Sequence, residues 1–235
     1  MGNTRRSLKQ QVRKILESHN FDAALRALSS LPPVKVVNAL FPFLYSCNDS
    51  LKWGAITAMG ETVRKIAQDD MESARVVVRR LMWNLNDESG GIGWGSAEAM
   101  GEILALDNGL AEEYASILVS YIKKDANFQE HELMQRGVLW AIGRLAQTRP
   151  ELVRGSVPHI ISFLQSNDPV KRGLAAWIMG LLKIKEARQA LVSLLDDGTR
   201  FMMYNKRKLV NTAVKDVALS AMMGICGEQP PISSI

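Results

Sequence analysis

The sequence predicts an all-α fold, a right-handed α-α superhelix of about five to six helical hairpins, and three observations predict it. First, five ten-residue segments align without gaps: "LKWGAITAMG", "IGWGSAEAMG", "MQRGVLWAIG", "KRGLAAWIMG" and "KDVALSAMMG". Their final glycines, Gly60, Gly101, Gly143, Gly180 and Gly224, follow one another at intervals of 41, 42, 37 and 44 residues. A period of this size is the signature of a stacked repeat. Second, apolar residues between these segments recur at spacings of three and four. Third, no segment alternates with period two for long enough to read as a strand.

Each decapeptide reads as the first helix, A, of a hairpin. Met59, Met100, Ile142, Met179 or Met223 precedes the glycine, as expected where one helix packs closely on the next. The second helices, B, carry Met71, Ala74, Val78, Leu81, Met82 and Leu85, then Tyr114, Ile117, Leu118, Tyr121 and Ile122, then Leu152, Val157, Ile160, Ile161 and Leu164. Ala187, Ala190, Leu191, Leu194 and Leu195 supply a fourth, and "VKVVNALFPFLYSCND" supplies a first. Pro42 and Pro158 are expected near the opening turns of their helices, where a missing N–H is tolerated, or else to kink them.

The decapeptides, together with "EARQALVSLLDD" from Glu186 to Asp197, resemble HEAT repeats of the PBS-lyase type, whose helix A reads V-R-x-x-A-A-x-A-L-G. Met or Ile stands here where that pattern has Leu before the glycine. The resemblance covers residues 34 to 227 and implies one domain over residues 1–235, with capping helices in 1–33 and a tail at 228–235. It defines a fold rather than an activity, since such arrays serve as adaptors, as assembly factors and in some cases as enzymes.

Composition narrows the classes further. With 47% hydrophobic and 23% charged residues the chain is an ordinary globular sequence. It has no run of eighteen apolar residues, and "MGNTRRSLKQQVRK" lacks the apolar stretch of a secretory signal. A cytoplasmic location is expected. "MGNTRRS" approaches a myristoylation pattern but has Arg6 where Ser or Thr is required. Cys47 and Cys226 have no second Cys or His at ligand spacing and are expected as free, buried thiols. Charge is uneven: from Asp87 to Glu132 ten acids face two lysines, a local net of −8, which leaves +13 for the rest of a chain of net +5. An acidic middle with basic ends follows.

The turns from helix B to the next helix A are where binding residues collect. From the acid ending each B helix to the next repeat glycine the chain runs 11, 14, 18, 12 and 27 residues. "ESGGIGWG", "ANFQEHELMQRG" and "GTRFMMYNKRKLVNT" are therefore enlarged, and all are expected to project from one edge. Within the first, Glu88, Trp94, Glu98 and Glu102 suit a cationic or peptide partner. A phosphate cradle is disfavoured because the run follows a helix, lacks the nucleotide-binding spacings and is surrounded by acids. Trp94 either anchors a partner or packs between repeats, as Trp53 would at the aligned place. In the third connection Arg200, Tyr204, Lys206 and Arg207, with Phe201, form a basic-aromatic loop that binds a partner or simply covers the last repeat. Arg75, Arg79 and Arg80 form a basic row on a B helix, read as a solvated face.

Chemistry has little to draw on. His19, His131 and His159 are the three histidines, and no G-x-S-x-G, H-E-x-x-H or C-x-x-C occurs. The His131-Glu132 pair resembles one half of the paired motifs of deoxyhypusine hydroxylase, a HEAT enzyme, but stands alone. Trp94 and Glu98, one helical turn apart, resemble the aromatic-acid arrangement of HEAT-like alkylpurine DNA glycosylases, although the acid there is Asp and this segment is acidic where DNA requires positive potential. The repeat type also raises a phycobilin-lyase-like cofactor attachment factor. The reading carried forward is a non-enzymatic protein-interaction scaffold with no cofactor or metal and no membrane association. Trp94 is its anchor, Glu88, Glu98 and Glu102 its charge partners, and Arg200, Tyr204, Lys206 and Arg207 lie at the far end of the same edge. Its protein partner is expected to carry a basic surface, with nucleic acid as the alternative ligand.

Overall fold

The computed structural model describes residues 2–18, 20–87 and 93–227. The chain divides into two compact units, 1–113 and 114–235. A solenoid repeat touches little beyond its neighbours, so such an array can be divided between repeats without cutting through a core.

In the first unit, α1 (Gly2–Leu16) and α2 (Phe21–Ser29) pack on α3 (Pro33–Leu44), which pairs with α4 (Asp49–Asp69); α5 (Met71–Leu85) and α6 (Ser96–Leu106) follow. Local chemistry sets the boundaries. Asn48 caps α4 by accepting from the Leu51 N–H at 3.0 Å, and Asp70 both ends α4 and caps α5 through the Ser73 N–H. Ala74, Val78, Leu81 and Leu85 of the expected apolar stripe are buried. Pro42 lies late in α3 instead of in its opening turns. Gly95 starts α6 in the left-handed region at φ 75°, and a Cβ there would stand 2.3 Å from the Leu44 carbonyl oxygen. Both facts require glycine. α7 (Asn108–Ser120) begins in this unit.

The second unit holds α8 (Glu132–Ala146), α9 (Pro150–Val153), α10 (Val157–Ile160), α11 (Pro169–Leu181), α12 (Arg188–Val192), the strands β1 (Arg200–Asn205) and β2 (Lys208–Ala213), and α13 (Val214–Cys226). The continuous B helix expected from Leu152 to Leu164 is broken into α9, α10 and two 3-10 turns, 154–156 and 161–165. Pro158 lacks an N–H, and the Ser156 hydroxyl donates to the Val153 carbonyl at 2.6 Å, competing with the helix ladder.

The repeat glycines do what their position predicts. A Cβ on Gly60 would come within 2.6 Å of Glu102 Cγ on α6, one on Gly143 within 2.1 Å of the Trp177 ring on α11, and one on Gly180 within 2.6 Å of the Ala221 backbone on α13. Successive A helices thus approach along a glycine seam within each unit. Ion pairs fix the N-terminal ends of these helices: Lys52 of α4 to Glu98 of α6 at 2.9 Å, Arg136 of α8 to Asp168, just before α11, at 2.6 Å, and Arg172 of α11 to Asp197, in the connection before the hairpin, at 2.6 Å. Asp168 also caps α11 through the Val170 N–H, so one carboxylate starts a helix and fixes its neighbour.

The strands are a departure from the sequence reading. β1 and β2 pair antiparallel from Arg200↔Ala213 to Asn205↔Lys208, across a two-residue turn in which Lys206 and Arg207 have φ of 47° and 63°. Two positive φ values in a two-residue loop define the type I′ hairpin turn. Phe201 and Met203 are buried while Arg200 and Met202 are exposed, a period-two pattern only four residues long. Phe201 seats against Gly173, where a Cβ would lie 2.2 Å from its ring. The thiols differ too: Cys47, in the turn before α4, and Cys226, the last residue of α13, are exposed.

Candidate partner-binding surfaces

In the first unit, the turn 93–95 brings the C-terminal ends of α3 and α5 to the start of α6. Gly95 abuts Leu44, and the Asn84 amide donates to the Ser96 hydroxyl at 3.5 Å. Three aromatic residues neighbouring these contacts in the chain are exposed: Tyr45 at 42%, Trp83 at 73% and Trp94 at 37%. The spacing reading found Trp94 and missed the other two. Trp83 lies off the Val78-Leu81-Leu85 stripe of α5, so its signal was a large aromatic on the polar face of an amphipathic helix.

The acids placed beside Trp94 behave differently from the expected exposed charge partners. Glu98 and Glu102 are each 6% exposed. The Glu98 carboxylate accepts from Lys52 Nζ at 2.9 Å, and the same ammonium lies 5.4 Å from the Trp53 ring. A buried carboxylate requires such a partner, and Glu98 is committed to holding α6 on α4. Glu88 lies outside the described residues. The basic row of α5 is likewise engaged: Arg75 pairs with Glu113 at 2.6 Å, Arg79 with Glu72, and Arg80 donates to Asn38 while its guanidinium stacks 3.7 Å from the Phe41 ring centre. Glu113 beside it raises the Arg75 pKa, and Arg75 lowers that of Glu113.

In the second unit the hairpin lies along α8 and α11. Tyr204 is 8% exposed, its carbonyl accepts from Trp140 Nε1 at 2.8 Å, and its ring tilts against the Trp140 indole at 6.1 Å. Tyr204 is therefore core, because an aromatic on the inward side of a half-covered hairpin fills space between strand and helix. Arg200 is exposed and donates to the Asn211 carbonyl at 2.6 Å. Lys206 and Arg207 are exposed at the tip. The Gln147 amide, just beyond α8, donates to Asn205 at 3.4 Å, so the tip reaches the C-terminal end of α8. The connection 125–131 precedes the N-terminal end of the same helix. Both enlarged connections of this unit leave from the N-terminal ends of the A helices, with Asp197 beside Arg172 and Lys215, but the hairpin folds back along α8 so that its tip reaches the opposite end, because Phe201 and Tyr204 pack over the A helices. Near the N-terminal end, Asp125, Phe128, His159 and Phe163 line a depression of ≈580 Å³.

His131 is a helix cap: its Nδ1 accepts from the Leu133 N–H at 3.3 Å. Glu132 pairs instead with the buried Lys171 at 3.1 Å. Among the described residues no three His, Cys, Asp or Glu side chains are grouped to hold a metal ion, and no helix is long and apolar enough to cross a membrane.

Residues 132–182, from α8 through α11, match the family model of the HEAT-like repeat. This segment is similar to a HEAT-like repeat. A protein of Archaeoglobus fulgidus described as uncharacterized is 28% identical over 138 residues, 59% of this chain. The match spans 64% of that relative's length. Among solved structures, two engineered proteins superpose with TM-scores of 0.54 and 0.53 at 14% and 16% identity. The first comparison covers 94% of this chain and 93% of that protein, the second 94% and 98%. A designed armadillo repeat protein in complex with the peptide (KR)4 superposes with a TM-score of 0.51 at 17% identity, over 92% of this chain and 98% of that one. At these identities the likeness is one of fold: the segment similar to a HEAT-like repeat sits in an all-α solenoid.

Proposed function

We propose that this HEAT-like repeat protein is a non-enzymatic scaffold that captures a protein segment at the aromatic edge of its first unit. The observation that carries the reading is the exposure of Tyr45, Trp83 and Trp94 around the junction of α3, α5 and α6. Large aromatics, here one on α5 and two in the turns bounding α3 and α6, supply contact area at low entropic cost and dominate protein interfaces. Trp94 keeps the anchoring role, with Trp83 as the larger exposed surface. Glu98 acts from beneath by fixing α6 through Lys52 and does not serve as a contact charge. That same pairing commits the carboxylate which, beside Trp94, suggested base excision. The fold is shared with a designed protein whose partner is a basic peptide, which supports an extended peptide segment as the ligand class. Arg200, Lys206 and Arg207 belong to a separate surface of the second unit.

The test compares capture by the wild-type protein with capture by the double variant Trp83→Ala, Trp94→Ala, using nuclease-treated extract of the native source. A protein bound by the first and lost by the second, at an unchanged melting temperature, supports the reading. Equal capture by the wild type and the double variant sinks it.

A further inference from the structure

The second unit carries a surface that the scaffold reading does not use. Among the described residues, three non-glycine positions adopt positive φ: Lys183 at 54°, Lys206 at 47° and Arg207 at 63°. All three are cations. Left-handed backbone disfavours residues with a Cβ, and turns of this kind ordinarily take glycine or asparagine. A strained position filled by a long cation is an observation that points toward function.

The three positions share one end of the helix stack. α8 and α11 run parallel, since Gln135 contacts Lys171 near their starts and Gly143 contacts Trp177 near their ends. Lys183 follows the C-terminal end of α11, and the Arg154 guanidinium, from the chain beyond α8, donates to the Leu182 carbonyl at 3.0 Å. The hairpin tip reaches the C-terminal end of α8 through Asn205 and Gln147. Lys185 and Lys208, two residues and one residue further along the chain, are exposed as well, and Glu151 and Glu186 are exposed acids of the adjoining segments. Helix C-termini also place carbonyl dipoles here, which cations complement.

The partner class follows from what this end lacks. Among the described residues the exposed large hydrophobic residues of the unit are Leu133, Val192, Met202 and Leu219, and none of these lies on the turns after α8, the turn after α11 or the hairpin tip. A protein interface needs a desolvated apolar anchor. A phosphate backbone needs charge alone. We infer that the end of the second unit formed by Lys183, Lys185 and the hairpin tip Lys206-Arg207-Lys208 binds the phosphate backbone of a nucleic acid duplex, without reading its sequence. Helix axes stand about 8–10 Å apart, so cations on successive turns span several phosphates of one groove edge. The I′ turn holds Lys206 and Arg207 outward on a hairpin whose base is packed by Phe201 and Tyr204.

The backbone geometry supplies a clean variant. In Lys183→Asn, Lys206→Asn, Arg207→Gly, each new residue suits the left-handed conformation better than the one it replaces. Folding is therefore retained or improved while three charges leave. The full-length protein is titrated against a fluorescein-labelled DNA duplex of about 20 base pairs at several NaCl concentrations, followed by anisotropy. The wild type is expected to bind with a steep inverse dependence on salt. The triple variant is expected to bind about tenfold more weakly or worse, with a log–log salt slope smaller by up to about 3, at an equal or higher melting temperature. The Trp83→Ala, Trp94→Ala variant is expected to bind the duplex normally, which separates this surface from the aromatic edge. No wild-type binding at about 50 mM NaCl, or equal binding by the triple variant, overturns the proposal. Binding of polyglutamate in place of duplex overturns it in favour of an acidic protein segment.

Discussion

The indole N–H of Trp140 donates to the carbonyl of Tyr204 at 2.8 Å, joining the middle of an A helix to a strand 64 residues later. Tyr204 is the fifth residue of β1, and its carbonyl faces α8. Both residues are buried, so the bond forms away from water. Trp140→Phe keeps the aromatic bulk and removes the donor. The unpaired carbonyl is expected to cost about 1–3 kcal/mol, read from urea denaturation, with faster amide exchange in β1. An unchanged midpoint would mean that packing alone holds the hairpin.

The glycine seam makes a second prediction. At Gly143→Ala the new Cβ would fall 2.1 Å from the Trp177 ring, and neither α8 nor α11 can shift without disturbing its other neighbours. Overpacking of this kind costs about 1–3 kcal/mol. Adding Trp177→Leu should recover part of the loss, since the clash is with that ring. If the single alanine variant melts like the wild type, the helices are not in contact at this point.

Lys52 and Glu98 offer a third. Lys52→Met leaves the buried Glu98 carboxylate without its ammonium, and should cost about 1.5–3 kcal/mol. The double variant Lys52→Met, Glu98→Gln removes the stranded charge and should be more stable than the single one, as is common for buried pairs. A double variant as unstable as the sum of its parts would show the two side chains to be uncoupled.

Acid sensitivity follows from Asp197. Burial alone would raise its pKa, but hydrogen bonds from Thr199 and the Arg172 guanidinium together hold it below the ordinary 3.8. The folded chain thus binds this proton less tightly than the unfolded chain. Its stabilising contribution is complete above the ordinary aspartate value and is lost as pH falls through the lower folded value. Melting temperature measured from about pH 5 to about pH 2 should fall less steeply for Asp197→Asn than for the wild type.

The sequence was most legible where one physical requirement recurs. Gly60, Gly143 and Gly180 sit where helices nearly touch, and a requirement repeated at each contact shows as a period. The buried stripe of α5 was legible for a similar reason, since Ala74, Val78, Leu81 and Leu85 share one helix face. The hairpin was not. Arg200 to Met203 alternate over too few residues, and Lys206-Arg207 lacks the glycine or asparagine that marks a type I′ turn. The B helix around Pro158 read as continuous because its apolar spacing survives in the broken segments.

The candidate surfaces divide in the same way. Enlarged connections identified the turn before Trp94 and the segment around Lys206, but connection length carries no direction. Glu98 and Tyr204 looked like surface residues because charge and aromatic rings are common in binding loops; Lys52 and Trp140, 46 and 64 residues away, make them interior. Sequence by itself determined the repeat, the helix seams and the fold class, all of which follow from spacing along one chain. Tertiary structure alone decided which acids are neutralised, that the hairpin folds back along α8, and that Lys183 and Lys206 share one end of the stack. Burial and charge pairing depend on residues distant in sequence, whose approach no local pattern records.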